Sequence, residues 1–202
     1  MIQFYFNHAP NPAKVALFLE ESGLEYEPIP VDTRKGQQFD PAYLKINPNG
    51  KVPAIVDGDV TMFDSNAILL YLAEKTGQFL PRDPVAKYKS LEWLMWQMGG
   101  VGPMFGQAHH FLRAAPTKIE YGIKRYVDEA KRLYGVLDKQ LASNAFAAGS
   151  DYTIADMAIF PWAARHEWHT VNLADFPNVK RWYDIINARP AVTKGMAVPY
   201  LN

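Results

Sequence analysis

The feature that most constrains this chain is a change of period near residue 77. Before it, short apolar runs alternate with helix-sized segments and dense turn signals. After it, every periodic stretch repeats at helical spacing. A chain patterned this way cannot close one continuous sheet, nor is it helical throughout. It predicts an α/β unit followed by an all-helical one.

Residues 2–6, IQFYF, read as a short buried strand. Asn11-Pro12 pairs a favoured N-cap with a favoured first helical residue, so Asn11 is expected to cap a helix. In that helix Val15, Phe18 and Leu19 recur at helical spacing, and Gly23 supplies a left-handed stop. Residues 26–31, YEPIPV, alternate as a second strand. A polar loop, DTRKGQQ, leads to a short helix around residues 41–46, and NPNGK is a dense turn signal. Val52-Pro53-Ala54-Ile55-Val56 reads as a strand with proline at its start, and Asp57-Gly58 as a hairpin turn into Val60–Phe63. Ser65 opens a helix over residues 66–76 that Gly77 ends. The expected order is βαβαββα within residues 1–77.

Residues 78–86, QFLPRDPVA, read as a linker, and 87–202 as an all-α helical bundle. Asp83-Pro84 repeats the cap-and-proline start. One helix is expected through SLEWLMWQM, stopping before Gly99-Gly100. A second covers about 117–142 with Leu133, Val136, Leu137 and Leu141 at core spacing. A third begins at Thr153, and a fourth starts near Pro177 and includes Trp182, Ile185 and Ile186.

Composition removes several classes of function. Lys plus Arg number 21 and Asp plus Glu 21, a net charge of zero. Without a basic surplus, nucleic acid is not the expected partner, and neither is an anionic membrane surface. There is no cysteine. That excludes disulfide staples, a cysteine nucleophile, a CxxC redox pair and a thiolate metal site. The start, MIQFYFNHAP, has neither a basic n-region nor an apolar h-region. The longest apolar run, Ala67–Ala73, is far below the roughly 20 residues of a bilayer span. A soluble, cytoplasmic protein is expected. His109-His110 and the His166/His169 pair come without an HExxH or carboxylate cluster, so no metal is expected.

Three patterns occur in order: Val52-Pro53-Ala54-Ile55-Val56 followed by Asp64-Ser65-Asn66-Ala67-Ile68; a compact α/β unit joined by a short linker to an all-α unit; and, after Gly149, Thr153-Ile154-Ala155-Asp156 as a capping box. Together they resemble the glutathione transferase superfamily over essentially the whole chain. The implied fold is an N-terminal thioredoxin-like domain followed by a helical C-terminal domain. Asn11 with Lys14-Val15, the loop Lys35-Gly36-Gln37-Gln38-Phe39, and the stretch from Trp93 to Phe111 resemble the bacterial Nu-class transferases. In that class disulfide exchange on glutathione is prominent.

The resemblance implies glutathione as co-substrate and assigns its parts. The Val52-Pro53 bond is expected to be cis, with the Val52 backbone facing the cysteinyl backbone of the ligand as an added strand would. Ser65, at a helix start, offers its hydroxyl and N–H to the α-carboxylate. Asp64 pairs with the ligand's ammonium, at a position where many relatives carry glutamate. Gln38 takes the glycyl end or nearby backbone, and Lys51 the glycyl carboxylate. Arg125 reaches the glutathione of the neighbouring subunit in a homodimer. For Gln38, Lys51 and Arg125 the alternative is an ordinary solvated side chain.

The thiol-activating hydroxyl of related sequences falls here on Ala9, and no cysteine replaces it. Asn11 is then the catalytic candidate, its amide N–H donating to the sulfur while the helix start adds positive potential. Tyr5 stays open between strand core and thiol partner, and His8 between a solvated loop residue and one that tunes the site. Trp93, Trp96, Met98, Met104 and Phe105 read mostly as core, some of them lining a second-substrate pocket with Phe111. The implied activity is glutathione-dependent disulfide exchange or conjugation to a small electrophile. The alternative is a non-catalytic glutathione-binding or regulatory protein on the same fold.

Overall fold

Alternation in the first strand is realised in β1 (Ile2–Phe6). Ile2, Phe4 and Phe6 are buried, while Gln3 and Tyr5 are half-buried on the other face. In the computed structural model, which describes residues 1–198, β1 is followed by α1 (Pro10–Ser22), β2 (Tyr26–Pro30), α2 (Pro41–Leu44), β3 (Ala54–Asp57), β4 (Val60–Phe63) and α3 (Ser65–Thr76). The four strands form one sheet in the order β2-β1-β3-β4. β1 pairs parallel with β2 and antiparallel with β3, and β3 pairs antiparallel with β4. Pro28 and Pro30 are tolerated in β2 because it is an edge strand that need not donate outward. Gly23 and Gly77 end α1 and α3 in the left-handed conformation, as expected of glycine there.

The described chain divides into two compact units, Met1–Leu80 with the segment that begins at Ala188, and Pro81–Asn187. The division drawn from sequence placed everything after residue 86 in the helical domain. In the structure the last helix, α9 (Pro190–Ala197), packs on α1 in the first unit. A side chain at Gly195 would meet the Leu17 backbone at 2.9 Å, so the close approach requires glycine. Arg189 fixes the start of α9 with a bidentate pair to Glu21 at 2.5 and 2.8 Å.

The second unit holds α4 (Pro84–Trp96), α5 (Gly102–His109), α6 (Glu120–Leu141), α7 (Ile154–Ala163) and α8 (Pro177–Asn187). The expected stop at Gly99-Gly100 does not occur. The chain stays helical through a π-type segment, Gln97–Val101, into α5, and a second such segment, His110–Ala114, follows. Pro103 explains the first. Its ring cannot sit in a regular α-turn against a carbonyl four residues back, and the wider turn relieves that clash. Two inward assignments also change: Val136 is half-buried, and Ile185 is 44% exposed while Trp182 and Ile186 are buried.

The capping box at α7 is formed. Thr153 accepts from the Ala155 N–H, and Asp156 accepts from the Thr153 N–H at 3.0 Å. Asp156 is fully buried and also takes the Ala147 N–H and the Trp182 Nε1–H, both at 2.8 Å. His169 is buried as well, its ring packed against Phe105, and burial pulls its pKa down to about 3, so it is neutral. Among the described residues no group of three or more His, Asp or Glu side chains is placed to hold a metal, and no helix is long and apolar enough to cross a membrane.

Candidate functional site

Sheet topology creates the site. Because β1 runs parallel to β2 and antiparallel to β3, which is antiparallel to β4, four chain segments emerge at one end of the sheet. Tyr5 pairs with Ala54, and Ala54 with Phe63. The residues just past β1 (Asn7 to Asn11), just before β3 (Lys51 to Pro53) and just past β4 (Asp64 and Ser65) are therefore neighbours. The loop that follows β2 reaches the same end, and Asn7 Nδ2 donates to Thr33 Oγ1 at 2.9 Å.

Asn11 does not cap α1. The N-cap is Ala9, in extended conformation, and the helix starts at Pro10 with no side-chain cap. Asn7 closes the preceding turn by accepting from the Ala9 N–H at 3.0 Å. The shift of two residues follows from Pro10, which is pre-set for the first helical position and pushes the residue before it to extended backbone. Asn11 is thus the second residue of the helix and is half-buried. Pro10 and Pro12 carry no N–H, so the first turn offers fewer backbone donors than most helices do. His8 is exposed beside this turn.

The Val52-Pro53 peptide is cis, as expected. The ladder between β1 and β3 ends at Ala54, so the Val52 N–H and C=O lie beyond the paired register. The Lys51 carbonyl is fixed by Tyr43 Oη and Asn47 Nδ2, each donating at 2.6 Å. The Lys51 side chain is exposed. Gln38 sits in a single turn of tighter helix, Gln37–Phe39. It is nearly buried, and its Oε1 has no hydrogen-bond partner among the described residues. Gly50, at positive φ, lets the Phe39 ring and the Gln38 carbonyl approach the 47–51 turn.

At the head of α3 the N-cap is Asp64 rather than Ser65. Its Oδ1 accepts from the N–H groups of Asn66 and Ala67 at 2.9 and 3.1 Å. Asp64 stands at φ 71° and ψ 119°, a conformation that costs a non-glycine residue about 1–3 kcal/mol. Strain of this kind collects at ligand clamps. Ser65 is the first helical residue and is buried. Its Oγ accepts from Lys14 Nζ at 3.2 Å, and Asn66 Oδ1 accepts from the same ammonium at 3.0 Å.

Sequence reading did not single out Lys14 as part of the site. Its only mark in the sequence is that it is the one charged residue in the apolar run Ala13–Leu19, and the structure buries that whole run. Burial pulls its pKa down to about 7, and the nearby Asp64 acts in the opposite direction.

Tyr5 packs with the cluster of Val31, Tyr43 and Ala54. Its hydroxyl points back along the strand to Gln3 Oε1 at 3.4 Å, and burial raises its pKa, with Glu27 adding to the shift. Arg125 is on α6 in the helical unit, exposed, with its guanidinium 5.9 Å from the Tyr126 ring. With Met104 and Glu129 it lines a cavity of about 270 Å³. Of the aromatic stripe, Trp93 and Phe105 are buried, while Met98 is 43% exposed. Phe111 stacks on Tyr126, with ring centroids 5.3 Å apart.

A cis peptide before β3, a strained acidic residue heading α3 and a following all-helical unit lead to a family. The family described as Glutathione S-transferase, N-terminal domain matches residues 3–74, and Glutathione S-transferase, C-terminal domain matches residues 103–190. The chain belongs to the glutathione S-transferase superfamily. It is 47% identical to the disulfide-bond oxidoreductase YfcG of Escherichia coli over 97% of this chain and 94% of that protein. A glutathione transferase from Burkholderia graminis, solved with two glutathione molecules bound per subunit, superposes with a TM-score of 0.93 at 41% identity, covering 100% of this chain and 89% of that one. A glutathione transferase from Pseudomonas putida, solved with one glutathione disulfide per subunit, gives the same TM-score and identity over 98% of this chain and 91% of that one. These findings agree with the thioredoxin-like plus helical fold, and with the kinship to bacterial disulfide oxidoreductases.

Proposed function

We propose that this protein binds glutathione at the end of the sheet where β1, β3 and β4 meet, and uses its thiol to reduce small disulfides. The observation that carries this reading is the gathering there of the α1 start, the cis Val52-Pro53 peptide and the Asp64–Ser65 head of α3. The Val52 peptide pairs with the cysteinyl backbone. Ser65 and the α3 start hold the α-carboxylate, and Asp64 takes the ammonium. Gln38 contacts the glycyl end or nearby backbone, and Lys51 meets the glycyl carboxylate.

With no cysteine in the chain, both reducing thiols come from glutathione. A first thiolate attacks one sulfur of the disulfide, forming a mixed disulfide and releasing one thiolate. A second glutathione thiolate attacks the glutathione sulfur of that intermediate, giving glutathione disulfide and the second product thiol. Two bound glutathiones in one relative and bound glutathione disulfide in another support this sequence. The protein contributes orientation and stabilisation of the attacking thiolate. Turnover of hydroxyethyl disulfide, followed by coupling product glutathione disulfide to glutathione reductase, tests it. Bound glutathione with no turnover above the uncatalysed rate would leave the non-catalytic reading.

Ser65→Ala is expected to weaken glutathione binding by about 1.5–3 kcal/mol, the value of a hydrogen bond to a charged group. Asp64 keeps the cap of α3 and Asn66 Oδ1 still accepts from the Lys14 ammonium, so the melting temperature should change less than the affinity. Unchanged calorimetric affinity would reject the placement of the α-carboxylate.

The protein is further proposed to act in the cytoplasm as a two-fold homodimer, with Arg125 reaching the partner's glutathione. Val85, Tyr88 and Met95 form a stripe along α4 that is 73%, 68% and 49% exposed. Apolar exposure at this spacing on one helix face fits a self-complementary contact. Light scattering at micromolar concentration should give twice the 22.9 kDa chain mass, and Tyr88→Glu should shift it toward that of one chain. A monomeric wild-type protein would reject the dimer.

A further inference from the structure

Lys14 lies in the second turn of α1 with 2% of its surface exposed. Its ammonium donates to Ser65 Oγ and Asn66 Oδ1, both on the first turn of α3 and both buried. A tie between two helices does not need a charge: burying an ammonium costs several kcal/mol, and an apolar side chain of similar volume usually serves packing better. The placement is also electrostatically adverse, because the start of α3 is already the positive end of its dipole. Two positive potentials then converge on one serine. By donating to Ser65 Oγ, the ammonium occupies a lone pair of the hydroxyl and leaves its proton to donate elsewhere.

We propose that Lys14 is a positioning residue for glutathione's γ-glutamyl carboxylate: it orients the Ser65 hydroxyl as a donor and adds buried positive charge behind it. This rests on the docking of that carboxylate at Ser65 described above.

A consequence separates this role from a structural tie. An anion seated at Ser65 favours the protonated form of Lys14. Burial holds the free protein's Lys14 at about 7, so carboxylate binding near neutral pH draws in a proton. Other charges around it do not replace this effect. Asp64, heading α3, already offsets the burial and its Oδ1 is engaged in capping. Ser65 and Asn66 do not titrate in this range. On α9, which packs against α1, Arg189 is paired with Glu21 and Lys194 is exposed.

The probe is S-methylglutathione, which keeps the carboxylates but has no thiol to ionise. Calorimetric titration of the whole protein in buffers of different ionisation enthalpy should show proton uptake on binding at pH 7.5. Affinity should fall as pH rises from 6.5 to 8.5, as linkage requires. Lys14→Met should bind at least roughly tenfold more weakly at pH 6.5, with no proton uptake. The analogue lacking only the γ-glutamyl carboxylate should bind wild type and variant alike. If Lys14→Met does not fold, Lys14→Arg, charged at every pH used, should retain binding and lose the proton uptake. Wild-type binding without proton uptake overturns the inference and leaves the site reading standing, as does an equal loss of both ligands in Lys14→Met. No binding of S-methylglutathione to the wild type overturns both.

Discussion

Asn11→Ala is expected to slow glutathione-dependent disulfide turnover by at least about tenfold, equivalent to roughly 1.4 kcal/mol. It should also raise the thiol pKa of bound glutathione by about one unit, read as thiolate absorbance against pH. The physical reason is a shortage of other donors at the start of α1. Pro10 and Pro12 have no N–H, and the Ala9 N–H is held by Asn7 Oδ1. The resemblance puts the usual hydroxyl position at Ala9, and the chain has no cysteine.

Tyr5→Phe is the matched control. Its hydroxyl faces Gln3, and its ring belongs to the cluster with Val31 and Tyr43, so turnover and thiol pKa should be nearly unchanged. A silent Asn11→Ala together with a crippled Tyr5→Phe would sink the assignment and return the chemistry to a tyrosine. Thermal melts of both variants show whether lost activity reflects lost fold.

Local chemistry made much of the first unit legible. Gly23 and Gly77 announced the ends of α1 and α3, and alternation the buried face of β1; the hairpin is where Asp57-Gly58 predicted it, one residue later, with Gly58-Asp59 as its turn between the paired Asp57 and Val60. These signals depend on a few adjacent residues, and the structure keeps them. Features set by distant partners were not legible. Asn11-Pro12 is as good a cap pair as Ala9-Pro10 is a poor one, yet the backbone that enters from β1, with Asn7 closing the turn, starts the helix at Pro10. Gly99-Gly100 is a strong local stop, but packing carries the helix through it by a wider turn. Helix α9 leaves the helical unit because Gly195 fits against Leu17, a match between residues far apart in sequence.

The site was legible only in part, for the same reason. Val52-Pro53 and Asp64-Ser65 stand in recognisable strings. What brings them beside Asn11 is strand order, which the resemblance supplied and periodicity did not. Lys14 shows the limit most clearly. In the sequence it is a single lysine in the apolar run PAKVALFLE, and it enters only through the resemblance, with Asn11 and Val15. Only the structure places it against Ser65 and Asn66, contributed by a helix some fifty residues later.

The largest effect on stability is expected at Asp156. Its carboxylate accepts from the Ala147 N–H, the Thr153 N–H and the Trp182 indole, so it joins the loop before α7, the cap of α7 and the core of α8. Asp156→Ala leaves three buried donors without an acceptor. Each such loss costs about 1–3 kcal/mol, so the total should be at least about 3 kcal/mol. For a protein of this size that corresponds to a fall in melting temperature of roughly 6–12 °C. Thr153→Ala removes the acceptor of the Ala155 N–H and one hydroxyl donor to Asp156, leaves that carboxylate its three other donors, and should cost about 1 kcal/mol. Asp156→Asn keeps one carbonyl acceptor and should fall between the two. Denaturant titration of the three variants gives the ordering directly. If Asp156→Ala cost no more than Thr153→Ala, the carboxylate would be a local cap and nothing more, and the three-way junction through Trp182 would be energetically empty.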